Sequence, residues 1–180
     1  MNTIKPIIFL FPFIALTVTG LLYFILLKKV TGKKVFNRYI FIVAILSFLL
    51  NFTWELFQLP LYKNSVYDIS HIAFCALATV ADVIMVLLLY FGLALIFKNP
   101  FWIQQLNWQR ITLVIFVGGT GAMLSEMRHL KLASWAYAAV MPLLPVVKVG
   151  VAPVLQFMLL PLLSYLLSAY YLKINNKKTT

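Results

Sequence analysis

The chain has four acidic residues, Glu55, Asp68, Asp82 and Glu126, and each falls within or at the edge of a long apolar run. Glu55 stands in Asn51-Phe52-Thr53-Trp54-Glu55-Leu56-Phe57-Gln58-Leu59-Pro60, where Ser47, Asn51, Glu55 and Gln58 follow at intervals of four, four and three. That spacing draws one polar stripe along a helix. Asp68, His71, Cys75, Thr79 and Asp82, at intervals of three, four, four and three, draw a second stripe. A carboxylate near the centre of a bilayer costs about 2.5–3.5 kcal/mol on insertion scales, so such residues are expected to turn into the protein and serve a site. A carboxylic acid enclosed by apolar groups keeps its proton and can deliver it to an alkene or epoxide. Nearby indole and phenol faces can then stabilise the resulting cation through their ring quadrupoles.

Other chemistries find less support in the residue pattern. Two histidines, His71 and His129, accompany the carboxylates, but there is no H-E-x-x-H, no H-x-x-x-H and no cysteine pair. No metal and no other cofactor is therefore expected. No serine sits in a nucleophile elbow. The run Gly118-Gly119-Thr120-Gly121-Ala122 lacks the Lys-Ser/Thr of a phosphate loop. Its Gly118/Ala122 and Gly121/Ser125 spacings instead suit close helix contact, and the Gly118 to Ser125 face is the expected surface for a homo-oligomer. Cys75 is a lone cysteine, read as a small apolar packing residue.

The elements that must position these groups are helices. With 63% hydrophobic and 11% charged residues, the 180-residue chain has too little polar surface for a soluble globule. Its apolar runs are continuous rather than alternating, which excludes an outer-membrane barrel. The expected architecture is an all-α integral membrane protein: a single polytopic domain over residues 1–180, folded as a five-helix bundle. The spans are placed at about Ile7 to Leu27, Tyr39 to Leu59, Ile69 to Phe97, Ile111 to Leu130 and Val149 to Leu172. Residues 132–147, short for a span and broken by Pro142 and Pro145, are expected to form a re-entrant or interfacial segment before the last helix. A sixth span is the alternative.

The net charge of +11 reflects topology and lipid contact rather than nucleic acid, because the basic residues flank apolar runs. Lys28, Lys29, Lys33, Lys34 and Arg38, with no acid among them, mark a cytoplasmic loop. The N-terminus is then outside and the C-terminus cytoplasmic, with ten basic residues inside against five outside. The expected location is a bacterial inner membrane. Trp102 and Trp108, in the loop from Lys98 to Arg110, are expected as interfacial anchors. Under this topology Glu55, Gln58, Tyr62, Asp68, His71, Glu126, Arg128, His129, Trp135 and Tyr137 belong to the outer half or outer mouth of the bundle, and an ion pair of Glu126 with His129, which share a helix face, is the purely structural alternative to a site there.

Asn51-Phe52-Thr53-Trp54-Glu55 resembles the N-x-x-W-E segment of membrane-integral terpene cyclases from meroterpenoid pathways, whose glutamate acts in protonation. Glu55-Leu56-Phe57-Gln58-Leu59-Pro60 is similar to a stretch of the EXPERA-domain family, which includes sterol isomerases and sterol-binding proteins. The resemblances imply Glu55 as the acid and Asp82 or Glu126 as its partner. The expected function is a membrane-embedded enzyme or binder, of isomerase or cyclase type, acting on a lipid, isoprenoid or sterol-like molecule. Its substrate contacts would be Asn51, Trp54, Gln58, Tyr62, His71, His129, Trp135, Tyr137 and Gln156. The alternatives are a small proton- or cation-coupled transporter or channel subunit and a structural partner subunit.

Overall fold

The structure is a computed structural model and describes residues 10–177. Five helices account for most of it: α1 (Leu10–Lys29), α2 (Lys33–Gln58), α3 (Ile69–Ile96), α4 (Trp108–Lys131) and α5 (Val151–Lys177). All five are long and apolar enough to cross a membrane. Even the 20 residues of α1 extend for about 30 Å at 1.5 Å per residue, the thickness of a bilayer's hydrocarbon core. The first residues expected in helix 1, together with Lys5 and Lys178, lie outside the described residues.

The boundaries follow local chemistry. Pro60 falls in a 3-10 turn, Leu59–Leu61, that ends α2 as expected. Asp68 and Asn107 cap α3 and α4, their side chains accepting from the backbone N–H groups of His71 and Arg110. The basic loop is shorter than expected, because α2 begins at Lys33 and only residues 30–32 are left between helices. Nothing between Lys33 and Arg38 breaks a helix, and Gly32 is the last residue outside it.

The helices pack in the order α1, α3, α2, α5, α4, with α3 and α4 touching only marginally. The contact of α4 with α5 is set by a proline and a glycine. Pro161 has no N–H to give the carbonyl of Phe157 four residues earlier. That carbonyl faces Gly118, where a Cβ would lie only 2.1 Å from the oxygen. Gly118 and Ala122, half of the small-residue face expected to join two copies, are thus buried, with Gly118 spent against α5 within the chain. Gly121 and Ser125 remain exposed.

At the end where α2 begins, Phe36, Tyr39, Tyr90, Phe91, Trp102 and Tyr165 form the aromatic part of the core. Here the expectation for Trp102 is overturned: its side chain is fully buried against Tyr90, Tyr165 and Phe97, and its indole N–H donates to the Tyr90 carbonyl at 3.2 Å. A 3-10 turn, Trp102–Gln105, folds the ring inward, and Arg110 secures it by donating to the carbonyls of Trp102 and Gln105 at 2.8 Å each. Trp108, by contrast, is 72% exposed, as an anchor would be.

Between α4 and α5 there is no sixth helix. Residues 132–150 form an extended hairpin in which Leu143 pairs with Gly150 and Tyr137 with Tyr62. Lys63 N–H donates to Ala136 at 2.8 Å and Ala138 N–H to Leu61 at 2.9 Å, which ties the hairpin across the end of α2. It leaves α4 through a Schellman turn, with Ala133 at φ 51° and the Ser134 N–H on the His129 carbonyl at 3.0 Å.

Candidate active site: three carboxylates around a phenol

The polar faces of α2, α3 and α5 meet near the end of α2 that the hairpin covers. Gln156, one turn into α5 and 1% exposed, stands at the centre. Its amide nitrogen is 2.9 Å from Asn51 Oδ1, 3.1 Å from Asp82 Oδ2 and 3.3 Å from Glu55 Oε1. Gln58 Nε2 donates to Glu55 Oε1 at 2.7 Å and to Gln156 Oε1 at 3.2 Å. The stripe read on α2 therefore faces α5 as one surface, and Asp82, about 16 Å along α3 from His71, reaches the same amide. Burial of these groups follows from pairing, since an unpartnered amide or carboxylate in an apolar interior is costly.

Glu126, 7% exposed, forms the other side of the site. Its Oε2 accepts from the Tyr137 hydroxyl and from Trp135 Nε1 at 3.2 Å. The left-handed turn at Ala133 brings these two side chains back over α4. Gly150 leaves room beside the Tyr137 ring, where a Cβ would come within 3.2 Å. In place of the alternative ion pair with His129, Glu126 has this pair of uncharged donors. His129 instead stacks on Trp135, ring centroids 4.2 Å apart, with its Nδ1 3.3 Å from Ser134 Oγ.

Tyr62 joins the two sides. Its ring meets Trp135 edge-on at 6.3 Å and Tyr137 at 5.6 Å. Burial pushes its phenol well above the usual tyrosine range, and the charges of Glu126 and Glu55 push the same way. Tyr137 is raised as well, first by burial and then by its hydrogen bond to Glu126, against the opposing pull of the Gly150 N–H. Both phenols are held neutral, and that of Tyr137 donates to Glu126.

Of the residues expected to form the site, Asn51, Glu55, Gln58, Asp82 and Gln156 share one network, and Tyr62, Glu126, His129, Trp135 and Tyr137 adjoin it. His71 stands apart: its ring lies 2.9 Å from Asp68 Oδ1 at the start of α3, part of a helix cap. The sequence signal for that was present, since an Asp immediately before an apolar helix is a capping signature. Trp54 neighbours Glu55 in sequence, and among the described residues its buried indole N–H and the buried Gln58 Oε1 have no hydrogen-bond partner. A surface hollow of about 320 Å³, lined by Thr53, Leu56, Phe57 and Tyr67, lies on the opposite face of α2 and takes in none of the carboxylates.

Among the described residues, no group of three or more His, Cys, Asp or Glu side chains is arranged to hold a metal ion. The arrangement is an all-helical one in which three carboxylates from three helices face amides, phenols and an indole. No family model, no curated protein and no solved structure matches the chain, so the likeness of Asn51 to Pro60 to terpene cyclases and EXPERA proteins rests on those residues alone.

Proposed function

We propose that the five helices cross a membrane, with the 132–150 hairpin and the carboxylate site on the outer side, and that the site performs acid–base chemistry on a hydrophobic lipid, isoprenoid or sterol-like molecule. The N-terminus is then outside and the C-terminus cytoplasmic, in a bacterial inner membrane. The observation that carries the reading is that Glu55 and Asp82, on different helices, approach one amide nitrogen at 3.3 and 3.1 Å while Glu126 accepts from Trp135 and Tyr137, whose rings meet that of Tyr62. Amide and aromatic partners orient these oxygens.

In this reaction the Glu55 O–H bond breaks and its proton goes to an alkene, where a C–H bond forms as the C=C π bond is lost, or to an epoxide, where an O–H bond forms as a ring C–O bond breaks; either leaves a carbocation and the Glu55 carboxylate. Tyr62, Trp135 and Tyr137 offer their ring faces to that cation. Asp82 or Glu126 removes a proton from a neighbouring carbon, so the product is an isomer or a cyclised isomer and no electrons are exchanged.

The test is mass spectrometry of lipids that copurify with the wild type and with folded Glu55→Gln, before and after incubation. The expected result is a lipid enriched by the wild type, converted to an isomer of equal mass, and either unconverted or retained at least about tenfold less by the variant. Equal retention and equal conversion by Glu55→Gln would refute the role of Glu55.

A further inference from the structure

We propose that Trp54 and Gln58 form the binding point for a hydroxyl group on the substrate, so that the lipid handled at this site is an alcohol held by its hydroxyl end beside Glu55. The inference rests on the reading of the cluster as a lipid site and deepens it by naming the substrate class.

Among the described residues, five buried side-chain polar atoms have no hydrogen-bond partner: Thr19 Oγ1, Ser47 Oγ, Ser164 Oγ, Trp54 Nε1 and Gln58 Oε1. The three hydroxyls stand on helices, where one side-chain rotation offers each a carbonyl of the preceding turn. The other two have no such escape. An indole N–H is a donor only, at a fixed point of a rigid ring. Gln58, 4% exposed, is held by its amide nitrogen, which donates to Glu55 Oε1 at 2.7 Å and to Gln156 Oε1 at 3.2 Å. Inverting the amide would set its oxygen against those two acceptors, so the carbonyl stays turned from them with its lone pairs unused. An enclosed donor or acceptor without a partner is costly, which favours one from outside the chain.

Positions 54 and 58 are one turn apart on one face of α2, with Cβ atoms about 5–6 Å from each other, and Glu55 lies between them in sequence. A donor beside an acceptor selects the ligand group. A hydroxyl satisfies both, accepting from the indole and donating to the amide carbonyl. A ketone or ether leaves Gln58 Oε1 unpaired, and an ammonium group leaves the Trp54 N–H unpaired. A carboxylate or phosphate anion fails twice, since it has no hydrogen for Gln58 and brings negative charge beside Glu55. Both atoms are enclosed, so the hydroxyl enters as the part-exposed Trp54 ring shifts. With the hydroxyl fixed within a turn of Glu55, about 5.4 Å of helix, the double bond or epoxide that takes the proton lies near the hydroxyl end of the molecule and not in a distant tail.

The experiment uses the full chain in lipid nanodiscs and two probes: the total lipid extract of the expressing cells, and the same extract after acetylation, which turns each free alcohol into an ester that accepts but cannot donate. Retained lipids are identified by mass spectrometry. The wild type should retain a lipid that carries a free hydroxyl and should retain its acetyl ester at least about tenfold less, because the ester leaves a buried group unpaired. Trp54→Phe, which keeps an aromatic ring and removes the N–H, should lower retention of the alcohol about tenfold while leaving that of lipids without a hydroxyl unchanged. A retained lipid with no hydroxyl, or acetylation without effect, overturns the proposal. So does unchanged retention by Trp54→Phe, the result expected if the two atoms hold only a water molecule. If Trp54→Phe does not fold, the two extracts decide the question with the wild type alone. A lipid without a hydroxyl that the wild type converts and Glu55→Gln does not would overturn the alcohol and keep the proposed function; hydroxyl-dependent retention with conversion unaltered by Glu55→Gln would do the reverse. No retained lipid at all would overturn both.

Discussion

Gly118→Ala tests the joint that carries Glu126 towards the rest of the site. A methyl group there would lie 2.1 Å from the Phe157 carbonyl oxygen and 3.1 Å from its carbon, both of them backbone atoms that cannot rotate away. Reaching ordinary contact requires α4 and α5 to part by about 1.3 Å, and overpacking of this kind typically costs about 1–3 kcal/mol. Neighbouring glycines give an internal scale. At Gly119 the methyl would meet Met158 Cγ at 2.8 Å, a flexible side chain that can yield, so a smaller loss is expected. At Gly121 nothing lies within 4 Å, and alanine should be neutral or gain up to about 1 kcal/mol from helix propensity.

The assay is thermal unfolding of the three variants in one detergent, where 1 kcal/mol corresponds to about 2–4 °C for a chain of this size. Pro161→Ala supplies the second arm of a double-mutant cycle. Restoring an N–H at position 161 should draw the Phe157 carbonyl back into α5, so Gly118→Ala should cost less in that background. Equal losses at Gly118 and Gly121, or additive behaviour with Pro161→Ala, would refute the account of this contact.

Tyr137→Phe removes one of two donors to the buried Glu126 and should cost about 1–3 kcal/mol, read by chemical or thermal unfolding, with Trp135→Phe acting in the same direction. Trp102→Ala should cost about 3–5 kcal/mol because its ring is fully enclosed, whereas Trp108→Ala, at an exposed position, should leave the unfolding midpoint nearly unchanged. The Asp68 carboxyl is held below its ordinary range, first by the His71 backbone N–H and then by the His71 ring. Its contribution is therefore fully present above the unfolded value of about 3.9 and is lost as pH falls through the lower folded value. Asp68→Asn, which keeps a capping oxygen, should flatten the acid limb of a melting-temperature profile.

The sequence by itself determined the five helices and two of their faces. Length and continuity of apolar residues are local properties, and the 3.6-residue period places Asn51, Glu55 and Gln58 on one side of α2 whatever lies opposite. The stop at Pro60 and the break at Pro142 and Pro145 were legible for the same reason, since proline acts on its own segment. What lies opposite was decided only in three dimensions. A lone Gln156 in an apolar helix carries no periodic signal, yet it bridges Asn51, Asp82 and Glu55 because α5 lies between α2 and α4. That position depends on Gly118 accepting the carbonyl freed by Pro161, a fit between segments some forty residues apart. Trp102 turned inward and Tyr62 met Tyr137 through pairings of the same distant kind. Periodicity fixes which way a side chain points from its own helix; only packing decides what it meets there.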